Sequence, residues 1–539
     1  MRSWLGALLA LMLGAESAAA RPDPVVQAPA GAVQGEALRG LNVFRGIPYA
    51  APPLGERRWK PPAPLAPWAG VRQAKAFGPA CLQPRMPAGF IYASELPQLS
   101  EDCLTLNVWA PAGAKAAPVV VWIHGGSLVT GSSRESMYDG AELARRGIVV
   151  VSINYRLGVL GWLAHPELSA ESPEGVSGNY GLLDQIAALM WVKRNIAPFG
   201  GDPAKVTIAG ESAGALSVMY LMASPKARGL FDKAIAQSAY MISTPELKER
   251  RFGREPAETA GVRLAKQLGA SGIAALRTMD AAELVDRAPK AGFAPFGAVD
   301  GKVLPRQLVE TFERGEQAPV PLLAGFNQGE IRSLRRLAPP KPASAEAYER
   351  EIRARYGELA DEFLRLYPAK DLEESMLAAT RDALYGWTAE RLAANQTAAG
   401  QPAFLYLFDH GYPAAQAQDL HAFHAAEIPY VFRTHDQTPA GWPKPPKSSV
   451  ELRLTDAIQG AWAAFVKTGA PGGGWAPYGD GRAYMAFEDA PRPARGLMPG
   501  MYELNEAVVS RRRAQGDTPW NWNVGVAAPT LAPKSPESR

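Results

Sequence analysis

The sequence predicts an α/β fold in which helices flank a large, mostly parallel central sheet. Three apolar segments rich in valine and isoleucine carry this prediction, at residues 117–123, 148–153 and 206–209. Segments that are apolar on both faces are typical of parallel strands buried under helices. An amphipathic pattern with helical spacing lies between two of them, from Gly181 to Val192. Strands that alternate with helices in this way indicate an α/β sheet.

The same patterns extend through the second half of the chain. Residues 320–326 and 403–408 are predicted as further strands, because both are continuous apolar runs. Residues 340–400 alternate charged and apolar side chains at helical spacing, which predicts helices beside the sheet. The Pro- and Gly-rich residues 21–80 are predicted as a β-rich lead-in to this sheet.

We expect one large α/β unit over residues 21–505, followed by a polar C-terminal tail over residues 506–539. The tail is predicted to be loose because it is polar and ends in Pro-Lys-Ser-Pro-Glu-Ser-Arg. Trp520 and Trp522 stand out in this segment. We expect them to dock part of the tail.

Composition excludes several classes of protein. Hydrophobic residues make up 47% and charged residues 20% of the 539 residues, so wholesale disorder is excluded. The net charge is only +4, from 57 basic and 53 acidic residues, so no nucleic-acid partner is expected. The two cysteines exclude cysteine-rich zinc and iron–sulfur sites.

The first 20 residues have the pattern of a secretory signal peptide. Arg2 precedes an apolar run from Leu5 to Leu13, and Ala18–Ala20 forms a small-residue cleavage site. A membrane anchor would need about 20 consecutive apolar residues, and this run is too short. The sequence therefore predicts cleavage near Ala20, a secreted or periplasmic protein, and no membrane span.

The two cysteines, Cys81 and Cys103, allow a single disulfide. Export to an oxidising compartment makes this bond possible. Closing the loop between them stabilises the fold by roughly 3 kcal/mol in the chain-entropy model.

A candidate nucleophile lies in the motif Gly210-Glu211-Ser212-Ala213-Gly214, which matches G-x-S-x-G. The motif follows a predicted strand and precedes a helical segment, Ala213–Met222, which is the context that a nucleophile elbow requires. Its turn is so sharp that side chains at the two glycine positions would clash. Ser212 is therefore predicted as the nucleophile.

Backbone donors for an oxyanion are predicted in two places. His124-Gly125-Gly126-Ser127 follows the strand at 117–123 and resembles a glycine loop that supplies donors opposite such an elbow. The N–H group of Ala213 lies at the start of the helix that follows the nucleophile. We therefore predict Gly125, Gly126 and Ala213 as the oxyanion hole.

A serine nucleophile needs a base, and the chain has six histidines. Enzymes with this elbow place nucleophile, acid and histidine in that order, which leaves the four histidines after Ser212. His424 is the best candidate and His421 its rival. The spacing His421-x-x-His424-x-x-Glu427 also resembles a metal site, but no further cluster completes it, so no metal is predicted.

The acid that orients the histidine has two candidates. Glu330 follows the predicted strand at 320–326 through Asn-Gln-Gly, and Asp409 ends the strand at 403–408. Both lie between the nucleophile and the base in the chain, so their positions do not separate them.

Five motifs together resemble the type-B carboxylesterase family, the cholinesterase-like branch of the α/β-hydrolases. They occur in the family's order over most of the chain: Phe44–Ala50 (FRGIPYA), Ser100–Val108 (SEDCLTLNV), Gly178–Gln185 (GNYGLLDQ), Phe199–Pro203 (FGGDP) and His424–Phe432.

The resemblance implies an α/β-hydrolase fold and a serine carboxylesterase that acts on small-molecule esters without a cofactor. It favours Glu330 as the acid and Cys81 as the partner of Cys103. It also implies that Ser238, in Gln237-Ser238-Ala239, supports the triad by a hydrogen bond. A lipase, an amidase or a binding protein on the same fold are the alternatives.

Overall fold

An eleven-stranded sheet runs through the structure, a computed structural model that describes residues 21–87, 89–479, 481–520 and 524–533. The predicted signal peptide at residues 1–20, Trp522 and residues 534–539 lie outside the described residues. The strands are β1 (Val25–Ala28), β2 (Gly31–Gln34), β3 (Glu36–Leu38), β4 (Leu41–Pro48), β5 (Val71–Gln73), β6 (Ala80–Cys81), β7 (Leu99–Ser100), β8 (Thr105–Pro111), β9 (Ala117–Ile123), β10 (Val149–Ile153), β11 (Gly201–Glu211), β12 (Lys233–Gln237), β13 (Leu322–Asn327), β14 (Ala403–Phe408), β15 (Ala483–Phe487) and β16 (Pro491–Arg495).

Helices connect most of the central strands. They are α1 (Ala141–Ala144), α2 (Gly158–Trp162), α3 (Pro166–Glu171), α4 (Tyr180–Asn195), α5 (Ala213–Ala223), α6 (Ala257–Gln267), α7 (Ile273–Thr278), α8 (Ala281–Lys290), α9 (Leu308–Glu313), α10 (Ala345–Tyr356), α11 (Ala360–Leu366), α12 (Leu372–Arg381), α13 (Trp387–Ala398), α14 (Pro413–Gln416), α15 (Ile428–Phe432), α16 (Ser449–Thr468) and α17 (Met501–Ala514). A π-helical turn, Asp382–Gly386, joins α12 to α13.

The strand order of the large sheet is β16-β15-β14-β13-β12-β11-β9-β10-β8-β4-β3. Every neighbouring pair from β15 to β10 is parallel, and the strands outside this block pair antiparallel. The predicted mostly parallel sheet is therefore confirmed. The predicted strands at 117–123 and 403–408 coincide with β9 and β14, and the strand predicted at 206–209 extends over all of β11.

Burial on both faces explains why these strands are continuous apolar runs. In β9, Val119, Val121 and Ile123 pack into the cluster on one face of the sheet, while Val120 and Trp122 pack into the cluster on the other. Helices cover each face, so neither set of side chains meets water. The carboxyl ends of the parallel strands then meet at one edge of the sheet, where ligands bind in folds of this type.

The C-terminal segment differs from the predicted loose tail. Helix α17 continues past residue 505, and Trp520 is fully buried against the rings of Phe252 and Trp387. Val524, Val526, Ala528 and Leu531 pack with α10 and α11 in a separate apolar cluster. Trp520 thus docks part of the tail, as expected, whereas the looseness predicted from the polar composition is not observed, because the partners of the segment are far away in the sequence.

The predicted disulfide is present. Cys81 and Cys103 are bonded to each other, and their Cα atoms are 5.0 Å apart. Both cysteines are buried, so the loop between them is anchored at its base in the core. Within the described ranges, none of the helices is both long and apolar enough to cross a membrane.

Candidate active site

Ser212 lies at a sharp turn between β11 and α5. Its backbone has φ 56° and ψ −120°, a conformation that non-glycine residues rarely adopt and that concentrates at functional sites. The flanking glycines are required by space: a Cβ on Gly210 would lie 2.5 Å from the carbonyl carbon of Gly214, and one on Gly214 would lie 2.0 Å from Ile123 O. The structure therefore has the strand–turn–helix geometry that the motif predicts.

Three backbone N–H groups in or beside the nucleophile turn donate no hydrogen bond within the described residues. A Cβ on Gly125 would lie 3.3 Å from the Cβ of Ser212, so this glycine packs directly against the nucleophile. Gly126 has φ +102°, which favours glycine. Ala213 is the first residue of α5, where no intrahelical acceptor exists. In the part of the chain that the structure describes, none of these three N–H groups donates a hydrogen bond to another residue.

His424 and Glu330 are paired at this site. His424 Nδ1 is hydrogen-bonded to Glu330 Oε2, and both side chains are buried. The second oxygen, Glu330 Oε1, accepts a hydrogen bond of 2.8 Å from the backbone N–H of Asn327. The rival acid, Asp409, is exposed at the end of β14, where its N–H donates to Phe487 O. The structure thus brings Glu330, and not Asp409, to the histidine.

The backbone joins the two loops that carry this pair. Gly329 donates its N–H to Ala422 O at 2.8 Å, and the side-chain amide of Asn327 donates to Phe423 O at 2.8 Å. Glu330 therefore follows β13 in a short 3-10 turn held against the segment that precedes His424. This register decides which strand end supplies the carboxylate.

The other ring nitrogen, His424 Nε2, lies 3.1 Å from Glu211 Oε1. Among the described residues, neither Glu211 Oε1 nor the Ser212 hydroxyl forms a hydrogen bond with this ring. Burial lowers the pKa of His424, but the carboxylates of Glu211 and Glu330 outweigh it and raise the pKa above its ordinary 6.5. Burial likewise raises the pKa of Glu211 above 4.5.

Sequence reasoning missed a polar network behind the pair. Glu427 accepts hydrogen bonds from the side-chain amides of Asn327 at 2.6 Å and Gln237 at 2.8 Å. Trp462 Nε1 in turn donates to Gln237 Oε1 at 2.9 Å. Because each partner comes from a different element, no local motif marks the network. Glu211 is different, since it lies inside the G-x-S-x-G motif and could have been considered.

Three tyrosines that no sequence motif marks also lie around the site. The ring of Tyr385, in the π-helical turn, lies 5.3 Å from the His424 ring, and the ring of Tyr92 lies 6.4 Å from it. Tyr240 packs edge to face against Tyr385 at 6.1 Å. Single-turn π-helical insertions occur often at functional sites, and here one places an aromatic ring beside the imidazole.

One predicted contact differs in the structure. Ser238 is buried, but among the described residues its hydroxyl has no hydrogen-bond partner, and its N–H donates to Gly325 O. The expected hydrogen bond from Ser238 to the triad is therefore not formed, because its hydroxyl is buried without reaching a triad side chain. His421 is partly exposed beside Asp419. In the described ranges no cluster of three metal-ligating side chains occurs, and Glu427 is engaged by the amide network.

Comparison with known proteins identifies the family of this chain. The carboxylesterase family model matches residues 22–497. The chain belongs to the carboxylesterase family. Fumonisin B1 esterase of Sphingopyxis macrogoltabida is 38% identical over 484 residues, covering 85% of this chain and 86% of that protein. Para-nitrobenzyl esterase of Bacillus subtilis (strain 168) is 36% identical over 465 residues, covering 83% of this chain and 90% of that protein.

Solved structures of the carboxylesterase family have the same fold. A PNB esterase structure superposes with a TM-score of 0.78 at 34% sequence identity, covering 90% of this chain and 99% of that one. The predicted α/β-hydrolase fold and type-B family are therefore confirmed. As a member of this family, the protein is a carboxylic-ester hydrolase.

Proposed function

We propose that this carboxylesterase works through an acyl-enzyme on Ser212. The Ser212 hydroxyl oxygen attacks the carbonyl carbon of a small-molecule ester while His424 Nε2 takes the hydroxyl proton. The carbon–oxygen bond to the alcohol then breaks, and His424 returns the proton to the departing alcohol. Water, activated by the same histidine, hydrolyses the acyl-enzyme and frees the acid. Each step uses side chains and backbone groups of this chain, so no cofactor is required.

The buried pair of His424 and Glu330 beside the Ser212 turn is the observation that carries this proposal. Glu330 fixes the Nδ1 side of the ring, which leaves Nε2 as the site that accepts the serine proton. Nε2 faces Glu211 in the structure, and we propose that its contact with Ser212 forms when an ester binds. Catalytic hydrogen bonds commonly tighten only in the substrate complex.

The N–H groups of Gly125, Gly126 and Ala213, which donate to no other described residue, supply the second supporting observation. We propose that they stabilise the negative oxygen that develops on the attacked carbonyl. They belong to closely packed backbone beside the nucleophile, and donors fixed in place before the reaction stabilise the charge most effectively. Loss of one such donor commonly lowers kcat by about 10²–10³-fold.

Hydrolysis of p-nitrophenyl acetate, butyrate and octanoate by residues 21–539 tests this function. Wild type is expected to turn over at least one ester, and Ser212→Ala is expected to abolish the reaction. Ser224→Ala is the matched control, because Ser224 is a buried serine at the far end of α5 whose hydroxyl has no partner among the described residues. Turnover by Ser212→Ala at the wild-type rate would contradict the proposed acyl-enzyme mechanism.

We further propose that the protein is exported and that residues 1–20 are removed. The signal-peptide pattern and the disulfide both support this, since such bonds persist in oxidising compartments. N-terminal sequencing of the protein purified from its native host should begin at Arg21. A mature chain that still begins at Met1 would contradict the proposal.

A further inference from the structure

We propose that Tyr92 is a positioning residue for this reaction: its hydroxyl ties the loop of the base to the loop of the acid. This inference rests on the proposed roles of His424 and Glu330. Tyr92 belongs to neither loop. It comes from the segment between Cys81 and Cys103, far from both in the sequence.

The Tyr92 hydroxyl contacts both loops at once. It lies 2.9 Å from the backbone carbonyl oxygen of His424 and 2.7 Å from Ser333 Oγ. A carbonyl oxygen can only accept, so the single phenolic proton is donated to His424 O. Ser333 can then donate its own hydroxyl proton to the Tyr92 oxygen. Burial raises the pKa of Tyr92 well above 10, which keeps the donated proton in place.

Ser333 belongs to the acid segment. It is the residue directly after the 3-10 turn Glu330–Arg332, and its hydroxyl also faces Glu330 O at 3.5 Å. The phenol thus bridges the histidine's own backbone to the turn that begins at Glu330. Gly329 and Asn327 make the backbone contacts between the two loops that are described above. The Tyr92 hydroxyl adds a contact that reaches the backbone of His424 itself.

The Tyr92 ring is itself held in place. It packs edge to face on Trp442 at 5.9 Å and on Phe90 at 5.4 Å. The backbone before it approaches Gly441 so closely that a Cβ there would lie 2.6 Å from Gly89 O. Near the disulfide, Gln83 exchanges two hydrogen bonds with the backbone of Gly131, at 2.8 and 2.9 Å. A phenol anchored in this way can restrain the loops that it touches.

Loss of this bridge changes the reaction in a specific direction. The carboxyl groups that face His424 are Glu211, Glu330 and Glu427, and together they raise the pKa of the imidazole. When the two loops separate, the contact with Glu330 weakens, so the pKa of His424 falls. Misplacement of a catalytic group by about 1 Å costs about 10²-fold in rate. We expect KM to change less than kcat, because the Tyr92 hydroxyl is already hydrogen-bonded to His424 O and Ser333 Oγ.

The test compares Tyr92→Phe with Tyr348→Phe. Tyr348 is the matched control, because its buried hydroxyl donates to Tyr367 O at 3.0 Å in the distant cluster of α10 and α11. For Tyr92→Phe we expect kcat to fall by about 10- to 100-fold and the acid limb of kcat/KM to move to lower pH. Tyr348→Phe should leave both unchanged. Ser333→Ala removes one half of the bridge and should give a smaller loss in the same direction.

Titration of the histidine rings by NMR separates this proposal from the proposed function. The chain has only six histidines, and His424→Gln assigns the signal. If wild type hydrolyses no ester, the proposed function fails, and the midpoint of the His424 titration alone tests the role of Tyr92. The proposed role of Tyr92 is wrong if Tyr92→Phe has the same titration midpoint as wild type and, where turnover exists, the same kcat. If Tyr92→Phe does not fold, Ser333→Ala decides by the same measurements.

Discussion

Gly214→Ala perturbs the nucleophile turn by a single methyl group. In the structure this Cβ would lie 2.0 Å from Ile123 O and 3.1 Å from the carbonyl carbon of His124. Carbon and oxygen atoms approach each other to about 3.3 Å in proteins. The start of α5 and the end of β9 must therefore separate by about 1 Å. Ile123 lies two residues before Gly125, so this separation moves one side of the oxyanion hole away from the other.

The expected loss follows from that displacement. A shift of about 1 Å at a catalytic group costs about 10²-fold, and a lost oxyanion donor costs about 10²–10³-fold. We expect kcat to fall at least about 100-fold, which corresponds to about 2.7 kcal/mol in the activation free energy. KM should change less, because the donors act on charge that develops after the ester has bound.

The assay is p-nitrophenyl butyrate hydrolysis with active-site titration, so that the rate refers to folded enzyme. Gly460→Ala is the matched control, because a Cβ at this position in α16 meets nothing within 4 Å. Alanine is the better helix former by about 0.5–1 kcal/mol, so this variant should be at least as stable as wild type and equally active. Gly214→Ala with a kcat within threefold of wild type would refute the reasoning.

Four further predictions concern pH and stability. The acid limb of kcat/KM should lie above pH 6.5, because neighbouring carboxylates raise the pKa of His424 and the base must be neutral; a limb at or below 6.5 would contradict this. The same raised pKa stabilises the fold below pH 6.5, and this contribution is lost as pH rises through the raised value. Replacing Cys81 and Cys103 by alanine should lower the free energy of unfolding by about 3 kcal/mol, measured by urea denaturation. An unchanged midpoint of urea unfolding would contradict this prediction. Trp520→Ala should lower the free energy of unfolding by about 3–5 kcal/mol without lowering kcat per folded molecule. An unchanged melting temperature would indicate that the C-terminal segment is loose instead.

The central sheet could be predicted because its strands are buried on both faces. This burial demands continuous apolar runs, and β9 and β14 therefore begin and end where the runs do. The nucleophile turn could be predicted for a similar reason. At Gly210 and Gly214 a side chain has no space, so the chemistry leaves a visible motif.

The acid could not be chosen from the residues alone, because Glu330 and Asp409 each follow a parallel strand of the same sheet. The hydrogen bond from Gly329 to Ala422 sets which strand end meets His424, and this contact spans almost a hundred residues. The family resemblance favoured Glu330, and the geometry agrees. Its catalytic role stays a prediction until the variants are measured.

The C-terminal segment was predicted to be loose, although Trp520 was expected to dock, because its polar side chains have partners that are distant in the sequence. Glu506 accepts hydrogen bonds from Trp387 and Arg391, and Arg513 pairs with Glu313. From composition alone, such residues are expected to be exposed to solvent. Tyr92 escaped detection for the same reason, because its partners His424 and Ser333 lie more than two hundred residues away.

The docked position of Trp520 ties distant parts of the chain together. Its ring packs on Phe252, which precedes α6, and on Trp387, which begins α13. Leu531 packs in the cluster of α10 and α11. Removal of the residues from Trp520 onward would therefore uncover apolar surface at two places. A contiguous exposed apolar surface favours self-association, so the shortened protein should be prone to aggregate.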